Sequence, residues 1–455
     1  MNITFLGATK EVTGSNFLLE HDGTKILIDC GLFQSGRFSE QKNYQPFNFN
    51  PAEIDLLILT HAHIDHSGRI PVLVKKGQGF QGPIYGTSPT LDFAEILFSD
   101  SLRILEKEAH YHDHDPIYNE ANVATAVNLF KKVDYDQEVL INQNLSFVLR
   151  DAGHILGSAI VEIFYHENNL KRKIVFSGDL GNYPNPILKR TVEINQADYL
   201  VIESTYGGHQ HEDVESRKKI LQGVIEETIN RGGVLMIPAF AIERTQELLM
   251  EINELVEKKQ IPAVPILLDS PLAIKVTDIY KQSHRYFNHE VKKVIKSGDD
   301  IFQFPGLQFC LTPEASKRIN SLPAPKIIIA GSGMSNGGRI IHHERRYLSD
   351  PKNTLLIIGY QAEGTLGRKI IDGAKEVQIL GEVVPIKAQI IKIGGYSAHA
   401  DQVKLIEWVK PMSSSLKKVF LVHGEPESMK ILAQKMTEEL DLEVSIPNFQ
   451  DIIAL

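Results

Sequence analysis

His61, His63, Asp65 and His66 fall within six residues, directly after the apolar run 56–60. Imidazole nitrogens and a carboxylate at that density are ligands for a divalent metal, with Zn²⁺ favoured and Mn²⁺ or Fe²⁺ as alternatives. A regular helix or strand cannot aim all four side chains one way. A tight turn from a strand into a helix can, and it would converge them on two neighbouring ions. The competing reading is a solvated polar loop, which requires four ligand side chains to have collected by chance. Four ligands do not fill two sites, so others must end other strands. His154 follows the run 145–149, Asp179 follows 174–176, and His423 follows 419–421. Asp179 has two carboxylate oxygens and is the natural bridge between two ions.

The elements that position these residues read clearly. Short apolar runs at 26–29, 56–60, 174–178, 199–204, 234–239, 266–269, 327–331, 355–359, 390–394 and 419–423 fit strands covered on both faces. Between several of them lie stretches with helical spacing. In 214–230 the apolar positions Ile220, Leu221, Val224, Ile225 and Ile229 line one face, and Gly232-Gly233 ends the helix. Residues 242–256, 402–409 and 428–440 read the same way. Strands alternating with helices predict an α/β protein, and its ligand residues lie at strand carboxyl ends. The first 35 residues differ, reading as strand-turn-strand around Asp22-Gly23.

Composition narrows the class. A chain of 455 residues with 42% hydrophobic and 23% charged residues is an ordinary globular protein, which excludes wholesale disorder, collagen and coiled coil. A net charge of −9 excludes a protein that wraps nucleic acid over its whole surface. Any such contact must use a local basic patch. Two cysteines, Cys30 and Cys310, make neither a disulfide framework nor a zinc finger, and they suit the cytoplasm. No window approaches the ~20 apolar residues that a membrane span needs.

A second motif could bind anions. Residues 329–339 read as a strand, a turn containing Ser332, Gly333, Met334, Ser335, Gly337 and Gly338, and a helix start at Arg339. Glycines let backbone N–H groups approach a phosphate, and a helix amino terminus favours negative charge. A tight turn with a helix cap explains the same residues without a ligand. Arg339, Arg345, Arg346, Arg368 and Arg244 are the cations that could form a local field, although exposed arginines are usually just solvated. His110, His112 and His114 read as a solvated loop, and His209, His211, His342 and His343 carry no assignment. Cys310 reads as core packing.

His-x-His-x-Asp-His, Gly-His154, Gly-Asp179 and an early strand ending Leu27-Ile28-Asp29 resemble, in that order, the metallo-β-lactamase superfamily. Val201-Ile-Glu203-Ser-Thr-Tyr206-Gly207 resembles motif A of its β-CASP branch. The segment 393–401, with Ser397, His399 and Asp401, resembles motif B, and Phe420-Leu-Val-His423-Gly-Glu425 resembles motif C. The resemblance spans nearly the whole chain. It is similar to bacterial and archaeal homologues of the nuclease subunit of the cleavage and polyadenylation specificity factor. A histidine at motif C accompanies RNA processing in this branch.

The resemblance implies a metallo-β-lactamase αββα sandwich, residues 1–207 and 365–455, interrupted by an inserted α/β β-CASP domain at 208–364. It implies a ribonuclease hydrolysing phosphodiester bonds to 5′-phosphate products, as an endonuclease, a 5′–3′ exonuclease or both. Two Zn²⁺ ions per chain are expected, one on His61, His63 and His154, the other on Asp65, His66 and His423, with Asp179 between them. His399 becomes the proton donor, Glu203 its orienting carboxylate, Asp65 a participant in proton transfer, and Asp29 a residue that orients a ligand histidine. Ser332–Arg339 and Ser397 become contacts for single-stranded RNA. A cytoplasmic enzyme, with room for a homodimer, is the resulting picture. The alternative is a non-catalytic RNA-binding subunit, which would be expected to have lost metal ligands.

Overall fold

Strands form where Ile, Leu and Val run together, and their burial shows why. Every residue of the strands Leu56–Ile58, Val234–Pro238 and Lys326–Ala330 is buried. The structure is a computed structural model and describes residues 1–34, 40–112, 115–168, 170–211, 214–359, 361–362 and 364–455. It divides into two compact units. The first comprises Met1–Tyr183, Lys189–Gln210 and His399–Leu455, and the second Pro184–Leu188 and His211–Ala398.

The first unit contains two seven-stranded sheets. One runs, in spatial order, Ile452–Ala454, Asn2–Phe5, Phe17–His21, Thr24–Ile28, Leu56–Ile58, Ile84–Gly86 and Phe130–Lys132. The other runs Val444–Ser445, Lys418–Val422, Tyr199–Glu203, Leu170–Phe176, Ala159–Glu167, Leu145–Asp151 and Glu138–Asn142. Their inner faces meet in one cluster. Phe5, Leu19, Ile28 and Ile58 come from the first sheet, and Phe147, Val161, Ile163, Phe176 and Phe420 from the second. Alternation along each strand sends the next residues outward. Ile160, Val175, Leu200, Ile202 and Leu421 therefore pack on Leu405, Trp408, Val409, Met429 and Met436 of the helices Gln402–Val409 and Pro426–Leu440. Phe98 of the helix Ser88–His112 packs beside Phe130 of the first sheet. This is an αββα sandwich. The opening hairpin turns at Asp22 and Gly23, both at positive φ (47° and 79°), as a two-residue turn between twisted strands requires.

The second unit is an α/β layer. Its six-stranded sheet is parallel throughout, in the order Leu307–Phe309, Ile266–Leu268, Lys326–Ala330, Val234–Pro238, Thr354–Ile357, Gln389–Lys392. The helices Val214–Asn230, Arg244–Glu257, Pro271–Gln282 and Ile340–Tyr347 alternate with these strands. The sequence places the boundaries of this unit at 208 and 364, whereas in the structure it runs from His211 to Ala398. The reason lies in pairing: Gln389–Lys392 bonds in register to Thr354–Ile357, so the chain rejoins the sandwich only at His399.

His110 and His112 end a helix rather than forming part of a loop, while their side chains and His114 lie outside the described residues. Among the described residues, no helix is long and apolar enough to cross a membrane.

Candidate active site

The strand Leu56–Ile58 delivers the chain to a sharp turn. His63 caps the one-turn helix Ile64–Ser67 in extended conformation, its carbonyl accepting from the His66 and Ser67 amides at 2.9 Å. The Ser67 hydroxyl donates to the Ala62 and His63 carbonyls and fixes the turn. His61 and His63 thus precede the helix, while Asp65 and His66 ride on it.

The structure brings all seven expected ligands together in the first unit, in two groups. In the first, His63 Nδ1 lies 3.1 Å from His61 Nε2 and 3.3 Å from His154 Nε2. Asp179 Oδ2 lies 3.3 Å from His61 Nε2 and 3.6 Å from His154 Nε2. Ligand atoms on a tetrahedral zinc with bonds of ~2.0–2.1 Å are about 3.3–3.4 Å apart, so the first group has the edge lengths of such a site. In the second group, Asp65 Oδ2 is 3.2 Å from His423 Nε2, and His66 Nε2 is 3.3 Å from Asp179 Oδ1. Asp179 therefore turns one oxygen to each group. Its Oδ1 is buried without a hydrogen-bond donor, which is the condition of a ligand atom aimed at a cation.

Outer contacts set the tautomers. Asp29 accepts from His66 Nδ1 at 2.7 Å, and from the amide and hydroxyl of Thr60, each at 2.8 Å. With its proton given to Asp29, the Thr60 hydroxyl accepts from His61 Nδ1 at 3.1 Å. The Thr205 hydroxyl likewise accepts from His423 Nδ1 at 3.0 Å. In all three histidines Nδ1 is occupied by an outer partner, which turns Nε2 toward the groups. Thr60 and Thr205 are the residues that sequence reasoning missed. Thr205 stood inside the motif A match, but only its distance from His423 reveals its task.

Burial depresses His61 and His154 and takes His63 down to about 3, leaving neutral imidazoles with free lone pairs. Burial alone would raise Asp179, but His423 and His66 beside it outweigh that and hold the carboxyl well below its usual range. Beside the groups, Glu203 Oε2 accepts from His399 Nδ1 at 3.0 Å, while Oε1 accepts from the Leu180 amide at 2.7 Å. Burial works against a charged His399, yet Glu203 and Asp179 lift it to about 9. Glu203 is fully buried and the His399 side chain is 19% exposed, so the imidazole is the part of this pair that a substrate can meet. The Cys30 thiol, pushed up to about 12 by burial, belongs to neither ligand group.

The remaining expected site residues belong to the second unit. Ser332 to Arg339 link the strand Lys326–Ala330 to the helix Ile340–Tyr347. Ser335, at φ 58°, donates to the buried carboxyl of Glu344. Gly338 has φ 68°, and a Cβ there would lie 2.3 Å from the Gly331 carbonyl oxygen. The Gly333 and Met334 carbonyls are held by Gln361 Nε2 and the Gly367 amide. The Ser332 hydroxyl is buried without a partner. Ser397 is buried, its amide on the Gly394 carbonyl at 3.3 Å.

Two of the expected phosphate cations have partners within the protein. Arg339 donates to Asp269 at 2.7 Å and to the Cys310 and Leu311 carbonyls, and Asp269 also accepts from His343. Arg244 is buried against Glu247 and the Tyr396 carbonyl. Both guanidiniums are turned inward because buried carboxylates and carbonyls await them.

Three family models match the chain. They are a Metallo-beta-lactamase superfamily domain at 18–198, a Beta-Casp domain at 245–370, and a Zn-dependent metallo-hydrolase RNA specificity domain at 383–447. The chain is 38% identical to Ribonuclease TTHA0252 of Thermus thermophilus, with 99% of each chain covered. It is 34% identical to Transcription termination factor FttA of Methanosarcina mazei, covering 97% of this chain and 70% of that one. Identity to the protein of the same name from Pyrococcus abyssi is 32%, over 100% and 71%. A crystal structure of a protein of unknown function from Enterococcus faecalis V583 shares the fold, with a TM-score of 0.57 at 11% identity over 100% and 99% of the two chains.

Proposed function

Because this chain belongs to the metallo-β-lactamase superfamily, in its β-CASP RNA-processing branch, we propose that it is a zinc-dependent ribonuclease hydrolysing the phosphodiester bonds of single-stranded RNA in the cytoplasm. The observation that supports the reading is Asp179, with one oxygen 3.3 Å from His61 Nε2 and the other 3.3 Å from His66 Nε2, and the His399–Glu203 pair alongside. His61, His63 and His154 would hold one zinc, and Asp65, His66 and His423 the other, with Asp179 serving both. When bound, such a pair lowers the pKa of a coordinated water toward ~7 and offsets charge on the phosphoryl oxygens.

The protein's own groups do the rest. Glu203 fixes His399 with Nδ1–H inward, which leaves Nε2 to carry a proton toward the substrate. The Glu203 carboxylate beside it favours the protonated imidazole. Its transfer to the departing 3′ oxygen leaves the 5′ phosphate on the other product. Asp65, whose carboxylate faces His423, takes part in moving the proton of the attacking water. Asp29 and Thr60 keep His66 and His61 aimed inward. A role confined to RNA binding would not need seven intact ligands.

The test is digestion of end-labelled linear and circular RNA by zinc-loaded protein. Cutting of circles shows endonuclease action, and release of 5′-mononucleotides shows exonuclease action. Intact RNA of both forms, with both ions bound, would refute the reading.

A further inference from the structure

Among the described residues, one cluster of buried charge in the second unit lies outside the ligand groups. Arg217, Glu243, Arg244, Glu247 and Glu251 are each 5% exposed or less, and Tyr280 and Tyr396 are fully buried among them. Arg217 pairs with Glu251, and Arg244 with Glu247. The Tyr396 hydroxyl donates to Glu251, the Tyr280 hydroxyl to Glu243, and Asn185 Nδ2 to both Glu243 and Glu247. Burial, with Glu247 nearby, pushes Glu243 up to about 8.

A well-packed apolar core of the same volume is often at least as stable as such a network. Stability alone therefore does not account for it. What apolar side chains cannot do is hold carbonyls, and both guanidiniums do so on consecutive residues. Arg217 Nη1 donates to the Gly395 carbonyl at 2.9 Å, and Arg244 Nη1 to the Tyr396 carbonyl at 2.7 Å. The Arg217 guanidinium also lies 4.2 Å over the Tyr396 ring. The clamped residues form the single turn Gly394–Tyr396, and His399 follows three residues later.

We propose that Arg217 and Arg244, braced by Glu251 and Glu247, are positioning residues that fix the backbone turn from which His399 is carried. The proposal rests on the reading of His399 as part of the nuclease site.

The experiment is a double-mutant cycle in the full-length zinc-loaded protein, measuring kcat on a short RNA. Arg217→Lys keeps the charge but lacks the fork that serves Glu251 and Gly395 together. If Arg217 acts through His399, the variant loses about 10–100-fold in kcat with zinc content unchanged, and makes no further loss in a His399→Ala background. Losses that multiply in that background, or a single variant with normal kcat, would overturn the proposal. If Arg217→Lys does not fold, the neutralised pair Arg217→Gln with Glu251→Gln is read in the same cycle. The proton-donor reading is judged separately, by whether His399→Ala spares a nitrophenyl phosphodiester whose leaving group departs unprotonated. If it does not, the coupling between Arg217 and His399 still decides whether the clamp positions the turn.

Discussion

Thr205 grips His423 twice, accepting from Nδ1 at 3.0 Å and donating to the same residue's carbonyl at 3.1 Å. The hydroxyl thereby sets both the tautomer and the backbone of a ligand held at φ 49°. Replacing Thr205 with Val keeps the shape and removes both bonds. Affinity for the more weakly held ion should fall about 10–100-fold, the usual worth of such an outer contact. Thr205→Ser should restore it. Zinc titration against a chromophoric chelator reads this directly, and unchanged affinity in the Val variant would make the contact incidental.

Metal content should follow the sharing of Asp179. Elemental analysis of the purified protein is expected to find close to two zinc ions per chain. His154→Ala should retain the ion of the second group, whereas Asp179→Ala should empty both, since each group presents an oxygen of that carboxylate to a histidine at 3.3 Å. Equal retention in the two variants would rule out a shared carboxylate.

His399→Ala should keep both ions yet cut RNA roughly 10²–10⁴-fold more slowly, the range for loss of a general acid. On a nitrophenyl phosphodiester the loss should shrink toward none. Equal losses on the two substrates would reassign His399 to holding phosphate.

Adjacent glycines in the 332–339 turn should part company. Gly338 needs its positive φ and has no room for a side chain, so Gly338→Ala should destabilise the second unit. Gly337 has ordinary backbone and open space around it, so Gly337→Val should melt like the parent protein. If phosphate approaches this turn, Gly337→Val will weaken RNA binding while zinc content and hydrolysis of a small phosphodiester stay normal. Normal RNA binding would make the segment a structural turn only.

Glu344 gives a pH signature free of the metal groups. Burial pushes its carboxyl up to about 8, against the opposing hydrogen bond from Ser335. Between about pH 4.5 and 8 the folded chain keeps a proton that the unfolded chain releases, so this group makes stability fall as pH rises, by at most about 1.4 kcal/mol per pH unit. Glu344→Gln removes that slope. Urea melts at pH 5, 6.5 and 8 should show the variant gaining steadily on the parent, and a constant difference would mean that the carboxyl ionises normally.

The candidate ligand cluster was legible because its chemistry is local: dense imidazoles and carboxylates at the ends of apolar runs. Thr205 and Arg217 were not, because their partners lie 218 and 178 residues away. Arg244 and Arg339 show a related limit. A sequence displays a charge but not the buried carboxylate that receives it, so both read as candidates for solvent or phosphate. The run 390–394 was readable as a strand, yet nothing in it names the sheet that the strand Gln389–Lys392 joins. The second unit's late boundary follows from that one pairing.

His423 is the last of the seven proposed ligands along the chain, and the strand Lys418–Val422 before it pairs with Tyr199–Glu203, formed more than 200 residues earlier. A nascent or truncated polypeptide can thus possess most of both sheets and still lack a finished second ligand group. For a protein that cleaves RNA, this ordering means that the second group is completed only once the strand Lys418–Val422 has docked on Tyr199–Glu203.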